Sequence, residues 1–150
     1  MMSKVLDMTD MNDVTTQIII KNASIRVYEQ LGYGLSESAY QTALGAELEE
    51  IFDDIQTEYH VSQYYITTKG RKVQIADLRI DIIIDYKIIL ELKTIDGVLE
   101  KVDKKTGELK MEDIRKCKEY KQCDRYKRLK NITEGYLINF GKKQLDFIKV

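Results

Sequence analysis

The chain has 150 residues, with 24 Lys and Arg, 25 Asp and Glu, one His, two Cys, and neither Pro nor Trp. This length suits one domain with a substantial core. A single histidine argues against a histidine pair or a Ser-His-Asp triad, and two cysteines do not make a disulfide framework or a zinc site. The N-terminus is too polar for a signal peptide, and no apolar run is long enough for a membrane span. We therefore expect a soluble intracellular protein of the cytoplasm or nucleus, with no membrane partner.

The net charge of −1 conceals an uneven distribution of charge along the chain. Residues 1–100 carry a net charge of −8, whereas residues 101–130 carry +6. Two interpretations of the basic segment stay open. It is either a solvated lysine-rich helix or a basic face for a polyanion, beside an acidic site that binds a cation.

Two helices are predicted in the first third of the chain, after a flexible segment over residues 1–13. Apolar residues at helical spacing predict the first helix over 14–31. Gly32-Tyr33-Gly34 ends it, since glycine adopts the positive φ that a helix end favours. Ser36 is the predicted N-cap of a second helix over 37–53.

The rest of the chain predicts a sheet, one further helix, and a single domain over residues 14–150. The expected order is ααββββαββ, a mixed α/β (α+β) fold with a central sheet flanked by helices. Residues 96–112 are polar and look like an insertion. The predicted strands are 55–67, 72–76, 78–85, 88–95, 134–140 and 144–150, and the predicted helix is 111–129.

Two strongly apolar strands, 78–85 and 88–95, are predicted to form a hairpin that carries charged residues. If residues 85–87 form a three-residue loop, Asp81 falls directly opposite Glu91. The two carboxylates would then lie about 5 Å apart on one face. A two-residue loop would instead place them on opposite faces.

Strict alternation along the first of these strands puts Ile80, Ile82 and Ile84 on one face and Asp81 on the other. On the second strand, Lys93 shares the face of Glu91.

By Coulomb's law, two carboxylates at this distance repel each other by on the order of several kcal/mol at an effective dielectric constant near 20. A shared proton, the nearby Lys93 or a divalent cation can offset this repulsion. Oxygen ligands favour magnesium or manganese, and this pattern suits metal-dependent phosphodiester hydrolysis. A buried ion-pair cluster of Asp81, Lys93 and Glu91, without metal, remains the structural alternative.

At these residues the sequence resembles the PD-(D/E)XK nuclease superfamily. Glu91-Leu92-Lys93 matches its E-x-K motif, and Asp81 matches the aspartate that precedes it. The segment Gly34-Leu35-Ser36-Glu37-Ser38-Ala39-Tyr40 matches the motif of the GxxExxY proteins, a small branch of that superfamily. The likeness extends over RIDIIIDYKIILELK and GYLINFG, from about residue 18 to residue 150.

The resemblance implies a restriction-endonuclease-like fold and a nuclease that uses Mg²⁺ or Mn²⁺. It implies a catalytic set of Glu37, Asp81, Glu91, Lys93 and Gln122. The implied metal ligands are Glu37, Asp81, Glu91 and the backbone carbonyl of Leu92. Basic residues of the late helix are then expected to contact nucleic acid, namely Lys116, Lys118, Lys121, Arg125, Lys127 and Arg128.

Other singled-out residues have ordinary interpretations. Tyr40 is expected to pack in the core, and Asp85 is expected to be a turn residue. For Gln122, the active-site role and an exposed helix position weigh equally. His60 is expected to be a packed or surface histidine rather than a ligand.

The chain departs from the family pattern at three places. Lys121, Cys123 and Arg125 replace the small and apolar neighbours that the family has around Gln122. Tyr33 stands where family members have a proline between the motif glycines. The link from Lys93 to Gln122 is long because of the 96–112 stretch.

The expected function is Mg²⁺-dependent hydrolysis of nucleic-acid phosphodiester bonds, with DNA favoured over RNA as partner. The rival is a non-catalytic module on a nuclease fold that binds nucleic acid or protein. A homodimer and a protein partner that supplies specificity stay open.

Overall fold

A computed structural model describes residues 9–96 and 114–150, with side chains from Val14 onward. The helices are α1 (Thr9–Leu31), α2 (Glu37–Glu49) and α3 (Lys118–Lys130). The strands are β1 (Ile55–Ile66), β2 (Lys72–Ile84), β3 (Ile88–Lys93), β4 (Glu134–Phe140) and β5 (Leu145–Lys149). They form one sheet in the order β1-β2-β3-β4-β5. β3 and β4 are parallel, and the other neighbours are antiparallel.

This mixed sheet flanked by helices confirms the predicted fold class, with one difference in the strands. The two predicted strands 72–76 and 78–85 form the single strand β2, so the described elements follow the order ααβββαββ. Asp77, the residue between them, pairs with Ser62 of β1, so the strand continues, and a register shift against β1 lies just before it, between Gln74 and Ala76. α1 begins at Thr9, ahead of the expected start. The 96–112 stretch lies outside the described residues except for Asp96.

The first two helices cover one face of the sheet. Tyr40, Leu44 and Leu48 of α2 are fully buried there, packed with the apolar side of α1. Each large aliphatic side chain buried in this way stabilises the fold by about 1.5–3 kcal/mol. The sheet contributes Ile82, Ile84, Ile88, Leu90, Leu92, Tyr136, Ile138 and Phe140 to the same cluster.

The third helix covers the opposite face. Cys123 and Tyr126 of α3 pack against Ile83 and Ile89 of the central strands. Strand β3 is therefore covered on both faces, which explains its nearly continuous apolar sequence. Glu91 lies within this strand, so a carboxylate occupies the middle of the protein. No helix in the described ranges is both long and apolar enough to cross a membrane.

The alternation of side chains breaks at Glu58 of β1. Thr57 pairs with Ile82 and Tyr59 pairs with Ile80, while Glu58 between them has a φ of 52°. Ile82 packs with the α2 side and Ile80 with the α3 side. The prediction that Ile80 shares a face with Ile82 is therefore wrong, because the left-handed backbone at Glu58 interrupts the regular pleat.

Candidate active site

The hairpin between β2 and β3 has the register that brings two carboxylates together. Ile84 pairs with Ile88, which confirms the three-residue loop over 85–87, and the same register sets Asp81 opposite Glu91. A side-chain hydrogen bond between the two carboxyl groups is among the causes of a raised pKa at Glu91. The hairpin therefore holds a carboxyl pair at its centre.

The loop closes without glycine because two of its residues adopt left-handed backbone. Asp85 and Tyr86 have φ of 51° and 54°, and the amide of Lys87 donates to the carbonyl of Ile84 at 2.8 Å. The Asp85 carboxylate accepts from the amide of Asp54 at 3.1 Å. Asp85 is therefore a turn residue, as the sequence indicated.

Glu91 is the most unusual group in the hairpin. Its side chain is buried, and its Oε1 has no hydrogen-bond partner in the described part of the chain. Burial and the charge of Asp81 raise the pKa of Glu91 to about 10. Without a cation, the Glu91 carboxyl is thus protonated at neutral pH.

Asp81 is half-buried and is held by the main chain of β3. Its Oδ2 accepts a hydrogen bond from the backbone amide of Leu92 at 2.7 Å. Leu92, whose carbonyl is the predicted backbone ligand, therefore lies next to the carboxyl pair.

Glu37 approaches this pair from the first turn of α2. Ser36 caps the helix, and its Oγ accepts from the amide of Ala39 at 3.2 Å, as predicted. Burial raises the pKa of Glu37, the charge of Lys93 lowers it, and the charge of Asp81 raises it. Glu37 therefore faces the hairpin and not only the solvent.

Tyr40 links the motif loop to the core. Its ring is fully buried and stacks on Phe140 with centroids 4.4 Å apart, which confirms the predicted packing. Its hydroxyl also donates to the carbonyl of Gly32 at 2.5 Å. Gly34 has a φ of 111°, which favours glycine. The motif residues thus fix the loop that leads into Glu37.

Sequence reasoning missed a buried polar clamp at the end of β3. Asn139 pairs with Lys93 in the parallel ladder and bonds both the amide and the carbonyl of Ile95, each at 2.9 Å. Its Nδ2 also donates to Asp146 at 3.0 Å. An asparagine inside the apolar strand EGYLINF was the available signal. The clamp fixes the chain two residues after Lys93.

Lys93 lines an open groove of about 660 Å³ between the end of β3 and α3. Gln122 also lines this groove, and its amide donates to the hydroxyl of Tyr126 at 3.0 Å. The other lining residues in the described part of the chain are cationic: Lys116, Lys118, Lys121 and Arg125. We call this feature the basic groove.

The structure does not bring Lys127 and Arg128 into the basic groove. Lys127 Nζ donates to the carbonyl of Val150 at 2.5 Å. Arg128 pairs with Asp124 at 3.2 Å. Successive residues of a helix point about 100° apart, so part of a continuous basic segment faces elsewhere.

Cys123 lies near enough to the carboxyl pair for the charges of Glu91 and Asp81 to act on its thiol, whereas His60 lies on an exposed part of the sheet. His60 is exposed on β1 and contacts Asp77 at 3.4 Å. Cys117 and Cys123 are not disulfide-bonded, and they pack in different clusters. Burial raises the pKa of Cys123 to about 12, so this thiol is inert.

The spacing of the carboxylates bears on whether they can hold a metal ion. Among the described residues, no three Asp, Glu, His or Cys side chains are gathered closely enough to hold a metal ion. Asp81 and Glu91 meet, whereas Glu37 acts on them through its charge. The unpartnered buried oxygen of Glu91 still fits a cation, because a cation would ionise this carboxyl and satisfy it.

Comparison with known families assigns the chain. A family profile described as PD-(D/E)XK nuclease superfamily matches residues 12–107. The chain belongs to this superfamily. Its mixed sheet and flanking helices agree with the restriction-endonuclease-like fold, and the matched range includes Glu37, Asp81, Glu91 and Lys93.

Other comparisons add little to the superfamily match. A search of curated proteins found no match. One similar solved structure is the "Crystal structure of SSO0001", with a TM-score of 0.48 and 18% identity. The alignment covers 91% of this chain and 77% of that one. The PD-(D/E)XK match ends before α3, so the basic groove is identified by geometry alone.

Proposed function

We propose that the chain is a Mg²⁺- or Mn²⁺-dependent nuclease that hydrolyses phosphodiester bonds of nucleic acid. The observation that carries this proposal is the buried Glu91, which has an unpartnered oxygen and lies opposite Asp81 in the hairpin. Two carboxyl groups in a dry strand pair are costly unless a proton or a cation is shared between them. Membership of the PD-(D/E)XK superfamily supports the cation.

The cation would be held by Asp81, Glu91 and the carbonyl of Leu92, with Glu37 as a further ligand from α2. Carboxylate and carbonyl oxygens are the ligands that magnesium and manganese prefer. When bound, such a cation supplies a water of lowered pKa and stabilises negative charge on the phosphate.

Lys93 is the proposed cationic residue of the reaction, beside the carboxyl pair. Its charge lowers the pKa of Glu37 and of Glu91, and its side chain borders the basic groove. In our proposal its ammonium group orients the scissile phosphate and neutralises charge that develops there. Gln122 contacts the same phosphate region from α3.

The basic groove is the proposed path of the nucleic-acid backbone. Side chains with positive charge release counterions when they neutralise phosphates, and this release gives sequence-independent affinity. Lys93 lines the groove and lies two residues after Glu91 on β3, so a strand bound along the groove would pass near the carboxyl pair. We propose DNA as the first substrate to examine, followed by RNA.

The experiment compares cleavage of labelled DNA and RNA by the wild-type chain, Asp81→Ala and Lys93→Ala, with Mg²⁺, Mn²⁺ or chelator. We expect cleavage only by the wild type with a divalent cation. Lys87→Ala is the control, because Lys87 is exposed in the hairpin loop at the other end of β3. Equal activity of wild type and both active-site variants would overturn the proposal.

A second candidate is a module that binds nucleic acid without cutting it. The absence of a ready-made three-ligand site in the described ranges favours it. Mn²⁺ titration separates the two candidates. No Mn²⁺ binding at millimolar concentration, with retained salt-dependent binding of nucleic acid, supports the binding module.

A further inference from the structure

Strands β1 and β2 extend well beyond the rest of the sheet. β3 pairs with β2 only at Ile82–Ile84, whereas β1 and β2 pair as far as Ile66 and Lys72. We call residues 61–76 the arm. At about 3.3 Å per residue, β2 reaches roughly 30 Å past its pairing with β3.

The arm is cationic and carries exposed aromatic residues. It contains Lys69, Arg71 and Lys72 and has no Asp or Glu. Tyr65 is 58% exposed and Tyr64 is 43% exposed. Isolated two-stranded hairpins are marginal in water, so a hairpin of this length with exposed tyrosines is suited to holding a partner.

One face of the arm continues the basic groove. Along β1, alternation places Val61, Gln63 and Tyr65 on one face, because the extra residue at the register shift, Ile75, lies on β2 and not on β1. Val61 packs in the cluster that includes α3, and Gln63 accepts a hydrogen bond from Arg125, a lining residue of the groove. Tyr65 therefore extends the surface that begins at Lys93. Tyr64 lies on the opposite face, with the ammonium of Lys72 4.1 Å from its ring centroid.

We propose that the groove-side face of the arm is a second nucleic-acid contact, in which Tyr65 stacks on a base or sugar and Arg71 binds a phosphate. The charge of the arm argues for this occupant and against a second copy. Its cations would meet the cations of an identical arm, whereas a nucleic acid supplies the opposite charge. Exposed aromatic rings beside cations are the surface on which bases stack.

This inference rests on the proposed function in one respect, namely that nucleic acid is the substrate. It adds a contact roughly 30 Å, or about nine base pairs, from the carboxyl pair. Substrates that end near the active site would not reach it.

The test measures binding of fluorescein-labelled duplex DNA of about 30 base pairs, longer than the arm's reach, to the full chain in chelator. The double variant Tyr65→Ala, Arg71→Ala should weaken binding about tenfold or more. The matched control, Tyr64→Ala with Lys87→Ala, removes one exposed tyrosine and one cation outside the proposed face. It should stay within about twofold of the wild type.

The groove variant Lys121→Ala separates the two proposals. If Lys121→Ala weakens binding and the arm double variant does not, the arm contact is overturned and the proposed function stands. If the wild type binds neither DNA nor RNA, both fail. Equal loss in the arm variant and its control overturns the face assignment. Sedimentation tests the rival occupant, a second copy of the chain. If the wild type is a dimer, and the arm double variant is a monomer with unchanged DNA affinity, the arm is an interface between copies.

Discussion

Asp81 and Glu91 face each other across the β2–β3 hairpin, and the second of them is buried with one carboxylate oxygen unpartnered. This arrangement stores repulsion that the protein relieves by keeping a proton on Glu91, whose pKa is raised to about 10. A proton and a cation therefore compete for the same carboxyl pair. Stability and cation binding should be linked through pH.

The first prediction is that Glu91 lowers the stability of the cation-free protein as pH rises. The pKa of Glu91 is raised on folding, from 4.5 to about 10. Its contribution is thus fully present below about pH 4.5 and is lost as pH rises toward 10, by up to about 1.4 kcal/mol per pH unit. Glu91→Gln removes this titration.

Urea unfolding in chelator between pH 5 and pH 8 checks this prediction. The difference in unfolding free energy between Glu91→Gln and the wild type should grow in favour of the variant as pH rises. A difference that does not change with pH would contradict the raised pKa.

The second prediction concerns Asp81→Asn. The amide oxygen can still accept the bond from Leu92, while the negative charge beside Glu91 is gone. In chelator the variant should be at least as stable as the wild type, and Mn²⁺ should no longer raise its melting temperature. Destabilisation in chelator, together with no Mn²⁺ effect on the wild type, would instead indicate a structural ion cluster.

The hairpin was predictable because its information is local. Period-two alternation and the short segment between Ile84 and Ile88 leave two possible registers, and the three-residue loop found in the structure is the one that sets Asp81 against Glu91. The capping of α2 by Ser36 and the burial of Tyr40 were also predictable, because each depends on residues nearby in the sequence.

Features that depend on contacts far apart in sequence could not be predicted. The left-handed backbone at Glu58 left no turn signal, so the shift of Ile80 to the other face was missed. The bond between Asn139 and Ile95 spans 44 residues. The way α3 docks decides which of its cations reach the basic groove, and composition does not encode that docking.

The third prediction concerns the loop before Glu37. Tyr40→Phe keeps the stacked ring but removes the hydroxyl that bonds the carbonyl of Gly32 and the amide of Leu35. Losing these bonds should cost about 1–3 kcal/mol of stability. It should also reduce cleavage, because the loop positions Glu37.

Tyr28→Phe is the matched control for Tyr40→Phe. It removes a comparable hydroxyl bond, 2.5 Å long, to the carbonyl of Gly141. In urea unfolding Tyr28→Phe should lose somewhat less stability, because it removes one bond where Tyr40→Phe removes two, and only Tyr40→Phe should lose more activity than its loss of stability explains. Equal losses of activity would contradict a positioning role for Tyr40.

The fourth prediction is that the Asn139 clamp supports Lys93. Asn139→Leu leaves both backbone groups of Ile95 and the carboxylate of Asp146 without this partner. Because Asp146 is buried and loses a donor, the protein should be destabilised by about 1–3 kcal/mol. Thermal unfolding measures the loss, and an unchanged melting temperature would show that the clamp is dispensable.

The fifth prediction separates cations inside the basic groove from cations elsewhere. Lys121→Ala with Arg125→Ala should weaken nucleic-acid binding and reduce the slope of log affinity against log salt concentration by about two. Lys87→Ala with Lys149→Ala removes the same charge from exposed positions that do not line the groove. This control should change the slope by much less than one, because the groove cations are the ones expected to displace counterions on contact. If both double variants shift the slope equally, net charge controls binding and the groove is not the path of the strand.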